Sequence, residues 1–316
     1  MALALALASA LSCQRGDGQP YRVGIVSPSA RLDEVIEGFR KGMLDYGYEE
    51  GVSIVFIYNG PVGEAGEMQG EIRRLMSEGA DMLFTVSLSP SLMAKEITAG
   101  RDIPIVFAPV YDPIRSSLVR ELGAHECNLT GVQVGGNAAK ALYWLMELSP
   151  GVRRVLVPYD TRTSTTVLGL SDLKEGADKL GVALVTAEVG NREELAKVLD
   201  ASGGTVDAIW LLTSYFLVDN IDLFVNASLS RKVPLASGTS QYNKGVTISY
   251  GQNMFRTGEM ASSLAHKIIR GARPSELPIE TTDFFLGINL EMAESIGLDV
   301  SDYMLQQADF IAREGR

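Results

Sequence analysis

Short apolar runs rich in β-branched residues alternate with longer segments of helical spacing in the first third of the chain. One such segment, Asp33–Tyr46, carries apolar residues at Val35, Ile36, Phe39 and Met43, which share one face of a helix. The strands and helices predicted here are Arg22–Val26, Asp33–Tyr46, Val52–Tyr58, Glu64–Ser77, Met82–Val86, Pro90–Thr98 and Ile103–Phe107. Strands that alternate with helices are joined by crossovers, so they are expected to run parallel.

A second series of the same kind follows the stretch "NLTGVQVGGN". Its predicted elements are Ala138–Leu148, Arg153–Pro158, Thr165–Leu180, Val182–Glu188, Arg192–Ala201, Ala208–Leu212, Leu217–Leu229 and Val233–Ala236. The last third differs, because a strand at Val246–Tyr250 and a long helix at Arg256–Arg270 precede the segment "TDFFLGINL". This part is too short for a third domain. The sequence therefore predicts an α/β protein with two Rossmann-like lobes built on parallel sheets.

The two lobes are predicted to share a hinge of several crossings. Short glycine-containing segments, typical of hinges, occur near Gly131–Asn137 and Gly251–Asn253, and a third lies at Leu286–Asn289. We expect a first lobe of residues 21–134 plus 253–285 and a second of 135–252 plus 286–316, after a leader of residues 1–20. Ligands of open parallel sheets bind at the carboxyl ends of the strands, so the segment "APVYDP" is expected to face the cleft between the lobes.

The N-terminal leader has the character of a secretory signal. Its first twelve residues, "MALALALASALS", are apolar and small, and they fall short of the ~18 residues that a membrane-spanning helix needs. The following Cys13 completes a segment that resembles a lipoprotein signal-peptidase box, although no Lys or Arg precedes the apolar run and Ala10 stands where leucine is more usual. The alternative is a frayed apolar N-terminus. The lipoprotein interpretation predicts a periplasmic or cell-surface protein that is attached to a bacterial membrane only by lipid on Cys13.

Charge and composition exclude several classes of protein. The net charge of −11 and the lack of a basic stripe argue against a nucleic acid partner. The only histidines are His125 and His266, so there is no histidine or cysteine cluster to bind a metal, and we interpret Cys127 as a spacer thiol rather than a nucleophile. Gly-rich phosphate loops, G-x-S-x-G and HExxH motifs are also missing. The sequence thus predicts neither an enzyme nor a cofactor.

An ordered set of stretches resembles one family of binding proteins. The stretches are "GFRKGMLDYGYEEG", "DIPIVFAPVYDPIRSSLV", "NLTGV", "VDAIWLLT", "RKVPLAS", "GQNMFRTGEMASSLAHKIIRGARPSELPIE" and "INLEMAESIGL". They are similar to the tryptophan/tyrosine-type substrate-binding proteins of ABC importers, which have the type I periplasmic-binding-protein fold. The resemblance implies a monomer that captures a small molecule and delivers it to ABC permease and ATPase subunits. A ligand-sensing module of the same fold, signalling through a separate receptor, is the alternative.

The resemblance also implies that strand-end loops of both lobes hold the ligand. The implied residues are Ser27, Pro28, Ser87, Ser89, Pro90, Tyr111, Asp112, Tyr159, Asp160, Thr161, Thr213, Ser214, Tyr215, Thr239 and Asn253. In the family, the hydroxyl-bearing loop before the third helix presents helix N-terminal amides to a carboxylate, and such amides lack partners within the helix. The alternative for Ser89 is that it caps this helix, with Pro90 at the first helical position.

Departures from the family pattern bear on the charge of the ligand. Members that bind amino acids commonly carry acids where this chain has Ser214, Ser240 and Asn253. A buried ammonium group needs a carboxylate or several carbonyl groups, so these neutral residues argue against a simple cationic or zwitterionic ligand. The remaining candidate partners are carboxylates at two of the implied positions, Asp112 and Asp160. A nearby cation, Arg162, is a candidate clamp for an anionic group.

Aromatic residues gather at the predicted strand ends. They are Tyr111, Tyr159, Tyr215, Phe216, Tyr242 and Tyr250. Flat apolar walls suit a planar ligand, whereas the alternative is that these rings serve core and hinge packing. The sequence therefore predicts a small aromatic or planar polar ligand, amino-acid-like or a carboxylate, held in the cleft between the lobes.

Overall fold

The computed structural model describes residues 19–123, 128–201 and 206–313, and it confirms the predicted α/β class. The strands are β1 Tyr21–Val26, β2 Ile54–Ile57, β3 Met82–Thr85, β4 Ile105–Val110, β5 Leu129–Gln133, β6 Arg154–Tyr159, β7 Ala183–Glu188, β8 Ala208–Leu211, β9 Leu235–Ser237, β10 Ile248–Gln252, β11 Glu280–Thr281, β12 Phe284–Asn289 and β13 Phe310–Ala312. The helices are α1 Asp33–Asp45, α2 Ala65–Ser77, α3 Leu88–Ile97, α4 Ala138–Leu148, α5 Ser164–Leu180, α6 Arg192–Ala201, α7 Tyr215–Asp219, α8 Ile221–Arg231, α9 Met254–Ile269, α10 Leu290–Ser295 and α11 Asp302–Gln307.

The strands form two sheets of mostly parallel strands. The first has six strands in the order β11-β5-β4-β3-β1-β2, all parallel. The second has seven in the order β13-β12-β10-β9-β8-β6-β7, and within it β10 and β12 are antiparallel. We call the first sheet with α1, α2, α3 and α9 the first lobe. The second sheet with the remaining helices is the second lobe.

Helices cover both faces of the first sheet. Strands β3 and β4 are buried at every position, which is the pattern of parallel strands enclosed on two sides. On one face Phe39 of α1 stacks on Phe84 of β3, with 4.0 Å between ring centroids. On the other face Leu75 of α2 and Phe107 of β4 belong to a separate buried apolar cluster. Because these strands are parallel, their carboxyl ends lie at one edge of the sheet, and the loops that follow them gather there.

Helices α1 and α9 pack closely because small residues face each other. A Cβ atom at Gly38 would lie 1.9 Å from the carbonyl oxygen of Phe255, and one at Gly258 would lie 2.1 Å from that of Val35. A Cβ at Gly42 would likewise lie 2.0 Å from the hydroxyl of Ser262. Only glycine permits such an approach of two helix backbones. The contact fixes α9, which follows a strand of the second sheet, onto the first lobe.

The chain passes between the lobes three times within the described residues. It crosses between β5 and α4, between β10 and α9, and at residues 282–283 between β11 and β12. The sequence placed the third crossing near Leu286–Asn289 and the lobe boundary after residue 285. The boundary was wrong by two residues and the crossing lies at least three residues earlier than predicted, because Phe284 and Phe285 already pair with β10.

Strand β4 runs further than its sequence predicts. The predicted strand ends at Phe107, whereas β4 continues through the buried Ala108 and Pro109 to Val110. The register with β5 shifts between Phe107 and Val110. Since proline has no N–H to donate to a ladder, this irregularity is what admits it into a central strand.

The predicted helix Leu217–Leu229 is two helices. Helix α7 ends at Asp219 and α8 begins at Ile221, with Asn220 between them at φ −109° and ψ 26°. The Asn220 side chain donates to the carbonyl oxygen of Phe216 at 2.7 Å. An asparagine amide that bonds the backbone in this way competes with the helical hydrogen bonds and breaks the helix.

Candidate functional site

The predicted ligand residues lie on loops at the carboxyl ends of the strands. In the first lobe these loops follow β1, β3 and β4, and in the second they follow β6, β8, β9 and β10. The two sets face each other, since Arg31 after β1 pairs with Asp219 of α7, and Tyr111 after β4 donates to Asp172 of α5. The candidate residues therefore border a cleft between the two lobes.

The loop after β1 is held by its own hydroxyl groups. Ser27 is fully buried and donates to the carbonyl oxygen of Ser29 at 3.1 Å. The Ser29 hydroxyl in turn accepts from the N–H of Arg31 at 3.3 Å and caps the turn Ala30–Leu32. Pro28, between the two serines, is half-buried. Ser27 thus shapes the loop from beneath, and Pro28 lies nearer its surface.

The loop after β3 holds a residue in a strained backbone conformation. Ser87 has φ 83° and ψ 176°, values rare outside glycine that cost about 1–3 kcal/mol. The hydroxyl of Ser91 donates to the carbonyl oxygen of Ser87 at 2.5 Å and contacts the Thr85 hydroxyl at 2.9 Å. Helix α3 begins directly after this residue, and Ser89 is exposed in its first turn. The first amides of α3 consequently point out of the helix beside Ser87 and Ser89.

The alternative role of Ser89 as a helix cap is wrong. Helix α3 begins at Leu88, so Ser87 occupies the cap position and makes no side-chain cap hydrogen bond. Pro90 is buried in the first turn, two residues after the start. A proline is tolerated there because the N–H groups of the first turn have no partner within the helix.

The loop after β4 forms a compact turn around Asp112. Its carboxylate accepts from the backbone N–H groups of Ile114 at 3.0 Å and Arg115 at 2.8 Å, and from Nε of Arg115 at 2.6 Å. Partial burial would raise the pKa of Asp112, but the hydrogen bonds from Arg115 outweigh it and lower that pKa. Its carboxylate is therefore committed to the loop rather than left for a ligand.

Tyr111 points across the cleft. Its hydroxyl donates to Oδ2 of Asp172 at 2.9 Å, and burial together with the Asp172 charge raises the pKa of Tyr111. The same carboxylate accepts from Nη2 of Arg115 at 2.5 Å through Oδ1. Nothing in the sequence singled out Asp172, because it lies in the middle of α5, far from any strand end.

An acidic side chain is buried at the end of β6. Asp160 has a side chain that is 2% exposed, and it accepts hydrogen bonds from the Ser214 hydroxyl and from N and Nε of Arg162 at 3.1 and 3.2 Å. Ser214 also caps α7. The guanidinium of Arg162 lies 4.1 Å from the ring centroid of Phe216. The structure thus brings a carboxylate, a hydroxyl, a cation and a ring together.

The neighbouring threonines support the loops of the second lobe. Thr161 is exposed and donates to Glu188 at 3.1 Å, and the carbonyl oxygen of Thr213 accepts from the Thr166 hydroxyl at 3.1 Å. Tyr159 is half-buried and packs against the apolar core of this lobe. These three predicted residues therefore lie at the strand ends but contact their own lobe.

Tyr215 is the exposed aromatic residue of the cleft. Its side chain is 49% exposed, and the guanidinium of Arg31 lies 5.3 Å from its ring centroid. Burial raises the pKa of Tyr215, while the Arg31 charge opposes this shift. Arg31 also forms a bidentate ion pair with Asp219. The sequence missed Arg31, which has no distinguishing motif around it.

Hydrogen bonds near the hinge tie the last two loops together. Thr239 is nearly buried and contacts the Ser237 hydroxyl at 3.0 Å, while Asn253 caps α9 by accepting from the N–H of Arg256 at 3.0 Å. Asn137, in the first crossing, donates to the carbonyl oxygens of Gly238 at 2.8 Å and Tyr250 at 2.6 Å. The predicted Thr239 and Asn253 therefore lie in a hinge-side network.

A cavity of about 500 Å³ lies beside this cluster rather than within it. It is bordered by Tyr111, Asp112 and Arg115 of the first lobe, by Gly136 of the first crossing, and by Asp172 of α5. Of the loops that carry candidate ligand residues, only the loop after β4 lines this cavity. We locate the candidate ligand site between the loops, because the buried carboxylate and the exposed ring lie there.

Other candidate features fall outside this site. Cys13, Cys127 and His125 lie outside the described residues. His266 stacks on Tyr46, directly after α1, with 4.3 Å between ring centroids, so it serves packing. In the part of the chain that the structure describes, no group of three or more His, Cys, Asp or Glu side chains could hold a metal ion. Likewise, no described helix is both long and apolar enough to cross a membrane.

Comparison with known proteins gives a consistent relationship. A tyrosine-binding protein of Clostridioides difficile (strain R20291) is 24% identical over 253 residues, which are 80% of this chain and 73% of that protein. A solved structure of a Streptococcus pneumoniae ABC domain in complex with L-Trp has 20% identity and a TM-score of 0.80. A conserved domain protein of Vibrio cholerae has 23% identity and a TM-score of 0.79. Each of these two structural matches covers 93% of this chain and 100% of the other chain.

These likenesses confirm the predicted type I periplasmic-binding-protein fold. The family described as ABC transporter substrate binding protein matches residues 23–311, nearly all of the described chain. The chain therefore belongs to the ABC transporter substrate-binding protein family, whose members bind small molecules outside the cytoplasm, work with ABC transporter components and are not enzymes.

Proposed function

We propose that this protein is the substrate-binding component of an ABC importer and captures a small aromatic, amino-acid-like molecule between its lobes. The observation that carries the proposal is the buried Asp160 with its Ser214 and Arg162 partners at a strand end of the second lobe, together with the strained loop at Ser87 at a strand end of the first. One side of the cleft thus offers negative charge and the other offers helix amides. This polarity suits a ligand with both an ammonium and a carboxylate group.

The ligand carboxylate is assigned to the start of α3. The first N–H groups of a helix carry partial positive charge and lack internal partners, and an anion satisfies both. Ser89 is exposed in this first turn, so its hydroxyl is available to the same group. The Ser91 hydroxyl is already bonded to Thr85 and Ser87, and it is therefore excluded as a direct contact.

The ligand ammonium group is assigned to Asp160. Of the two carboxylates that the sequence left as candidates, Asp112 is committed to the N–H groups of Ile114 and Arg115. Asp160 is more deeply buried, and its cationic partner Arg162 is half-exposed at 3.2 Å, so the ligand ammonium group is assigned the place beside this carboxylate that Arg162 takes here. This single acid compensates for the neutral residues at Ser214, Ser240 and Asn253.

The flat part of the ligand is assigned to Tyr215 and to the Phe216–Arg162 pair. Tyr215 is half-exposed at the cleft, whereas Tyr111 is mostly turned toward Asp172. Aromatic rings prefer offset stacking and edge contacts with one another. The names of two similar proteins are in keeping with this ligand class, since one is called tyrosine-binding and another was solved with L-Trp.

We further propose that the two lobes move as units and that the protein is a monomer. The first lobe comprises about residues 21–134 with 253–283, and the second about 135–252 with 284–316, after adjustment of the third crossing to its position between β11 and β12. The crossings between the lobes are short, and short crossings favour rotation of one lobe against the other about a hinge.

Attachment to a membrane is proposed to depend on lipid at Cys13. The apolar leader that ends in small residues before this cysteine supports the proposal. Intact-mass measurement of protein from the membrane fraction should show a chain that begins at Cys13 with an added lipid. An unmodified chain that retains Met1 would contradict it.

The ligand class is tested by calorimetry on a designed panel. We expect L-tryptophan and L-tyrosine to bind, indole-3-propionate to bind more weakly, and L-lysine, L-arginine and myo-inositol not to bind. Mass spectrometry of small molecules released from denatured protein provides an independent check. Tight binding of lysine or arginine with inert aromatic compounds would overturn the proposed ligand class.

A further inference from the structure

Asp172 joins the two lobes through a single carboxylate. It lies in α5 of the second lobe, and its side chain is 14% exposed. Its Oδ2 accepts from the Tyr111 hydroxyl at 2.9 Å and its Oδ1 accepts from Nη2 of Arg115 at 2.5 Å. Both donors belong to the loop after β4 of the first lobe. Each oxygen of Asp172 therefore serves one donor from across the cleft.

These contacts close a ring of hydrogen bonds. Arg115 binds Asp172 through Nη2 and Asp112 through Nε, and Asp112 also fixes the turn at the N–H groups of Ile114 and Arg115. Tyr111 completes the ring by its own bond to Asp172. Asp112 thus shapes the turn from within the first lobe, and Asp172 attaches the turn to the second lobe. Charge-assisted hydrogen bonds of this kind are stronger than neutral ones.

A second ion pair joins the lobes, but it is weaker because both of its side chains are exposed to solvent. Arg31 and Asp219 are 50% and 47% exposed, and exposed pairs of this kind contribute little because water screens them. Asp172 is far less exposed, at 14%, and it also accepts from the Tyr111 hydroxyl. The difference in burial makes Asp172, rather than Asp219, the stronger tie between the lobes.

We propose that Asp172 is a positioning residue that holds the loop after β4 against the second lobe and thereby slows the release of ligand. The inference rests on the proposed function for its effect on ligand, but its effect on the loop and the lobes does not depend on any ligand. Opening of the cleft must break both hydrogen bonds of Asp172 together, since both donors lie on the first lobe. Asparagine has one acceptor oxygen and no charge, so it cannot replace both bonds.

The test compares D172N with E175Q in the full-length protein. Glu175 lies one turn further along the same helix and pairs with Lys179 of its own lobe, so E175Q removes an equal charge and leaves both hydrogen bonds of Asp172 in place. Stopped-flow measurement should show that L-tryptophan leaves D172N about tenfold faster, as expected for the loss of a charged hydrogen bond, while its association rate changes little. E175Q should match the wild type. Equal dissociation rates for all three proteins would overturn the proposal.

A second set of measurements needs no ligand. Hydrogen exchange at residues 111–119 and the radius of gyration from X-ray scattering should both rise in D172N and remain unchanged in E175Q. If no panel compound binds the wild type, the proposed ligand class fails, yet these two measurements still decide the role of Asp172. Unchanged exchange and scattering in D172N would overturn it. Should D172N fail to fold, R115Q removes one of the two bonds to Asp172, together with the Arg115–Asp112 pair, from a more exposed position, and it is expected to change the same measurements in the same direction.

Discussion

Asp160 differs from the other acidic residues of the cleft in its surroundings. Its side chain is 2% exposed, its partners are the Ser214 hydroxyl and the N and Nε groups of Arg162, and Arg162 itself is half-exposed. A carboxylate in such a place is costly unless it is paired. The residue is therefore expected to contribute to ligand charge selection as well as to the loop.

Replacement of Asp160 by asparagine should selectively weaken the binding of ligands that carry an ammonium group. Loss of one charged hydrogen bond costs about 1.5–3 kcal/mol, so calorimetry should show L-tryptophan binding to D160N at least about tenfold more weakly. Asparagine keeps one acceptor for Ser214, and the fold should persist. Indole-3-propionate, which has the same ring and carboxylate without the ammonium group, serves as the internal control and should lose less than about threefold. An equal loss for the two compounds would show that Asp160 does not contact the ammonium group.

At the scale of elements, the contact between α1 and α9 joins the C-terminal third to the first lobe. Gly38 and Gly42 on α1 face Phe255, Gly258 and Ser262 on α9, at distances that leave no room for a side chain. Glycine inside a helix normally costs about 0.5–1 kcal/mol relative to alanine. Here the close approach of the backbones outweighs that cost.

Gly258→Ala should therefore destabilise the protein despite the better helix propensity of alanine. Its Cβ would meet the carbonyl oxygen of Val35 at 2.1 Å and the nitrogen of Phe39 at 2.7 Å, both of them backbone atoms that cannot move aside easily. Overpacking of this kind costs about 1–3 kcal/mol, which a urea titration would detect as a lower midpoint. Gly70→Ala is the matched control. It lies in α2 with no atom within 4 Å of an added Cβ, and should raise the midpoint slightly. Similar shifts for both variants would refute the close-packing argument.

At the scale of the whole molecule, two ion pairs among the described residues join the lobes across the cleft. Tyr111 and Arg115 meet Asp172 near the hinge, since β4 neighbours the crossing strand β5 in the first sheet. Arg31 meets Asp219 further out, since β1 lies two strands beyond β4. Closure about a ligand is expected to tighten both contacts together.

Ligand binding should compact the protein. A compact chain of 316 residues has a radius of gyration of about 20 Å, and the ligand-bound form should approach this value more closely than the free form. X-ray scattering with and without L-tryptophan measures the change, and myo-inositol serves as a control that should leave the curve unaltered. The scattering mass should equal that of one chain. Identical curves with a saturating ligand would contradict the hinge motion.

Periodicity explains why so many elements could be predicted. Helices Ala138–Leu148 and Arg192–Ala201 were predicted with their observed bounds, because an apolar face at helical spacing and clear end signals coincide there. The break at Asn220 and the passage of β4 through Pro109 were missed. Both depend on side-chain bonding and on a register shift against a neighbouring strand, which local sequence does not encode.

The sequence by itself determined the α/β class, the alternation of elements and the strand-end loops that carry the candidate ligand residues, since hydrophobic period and the order of elements along the chain are local properties. Only the tertiary structure decided what each side chain in those loops does. In the structure, the Asp112 carboxylate bonds within its own turn, Asp160 is buried beside Ser214, and the Tyr111 hydroxyl donates to Asp172. Such pairings join residues that are distant along the chain, and their geometry follows from how the two sheets pack and face each other.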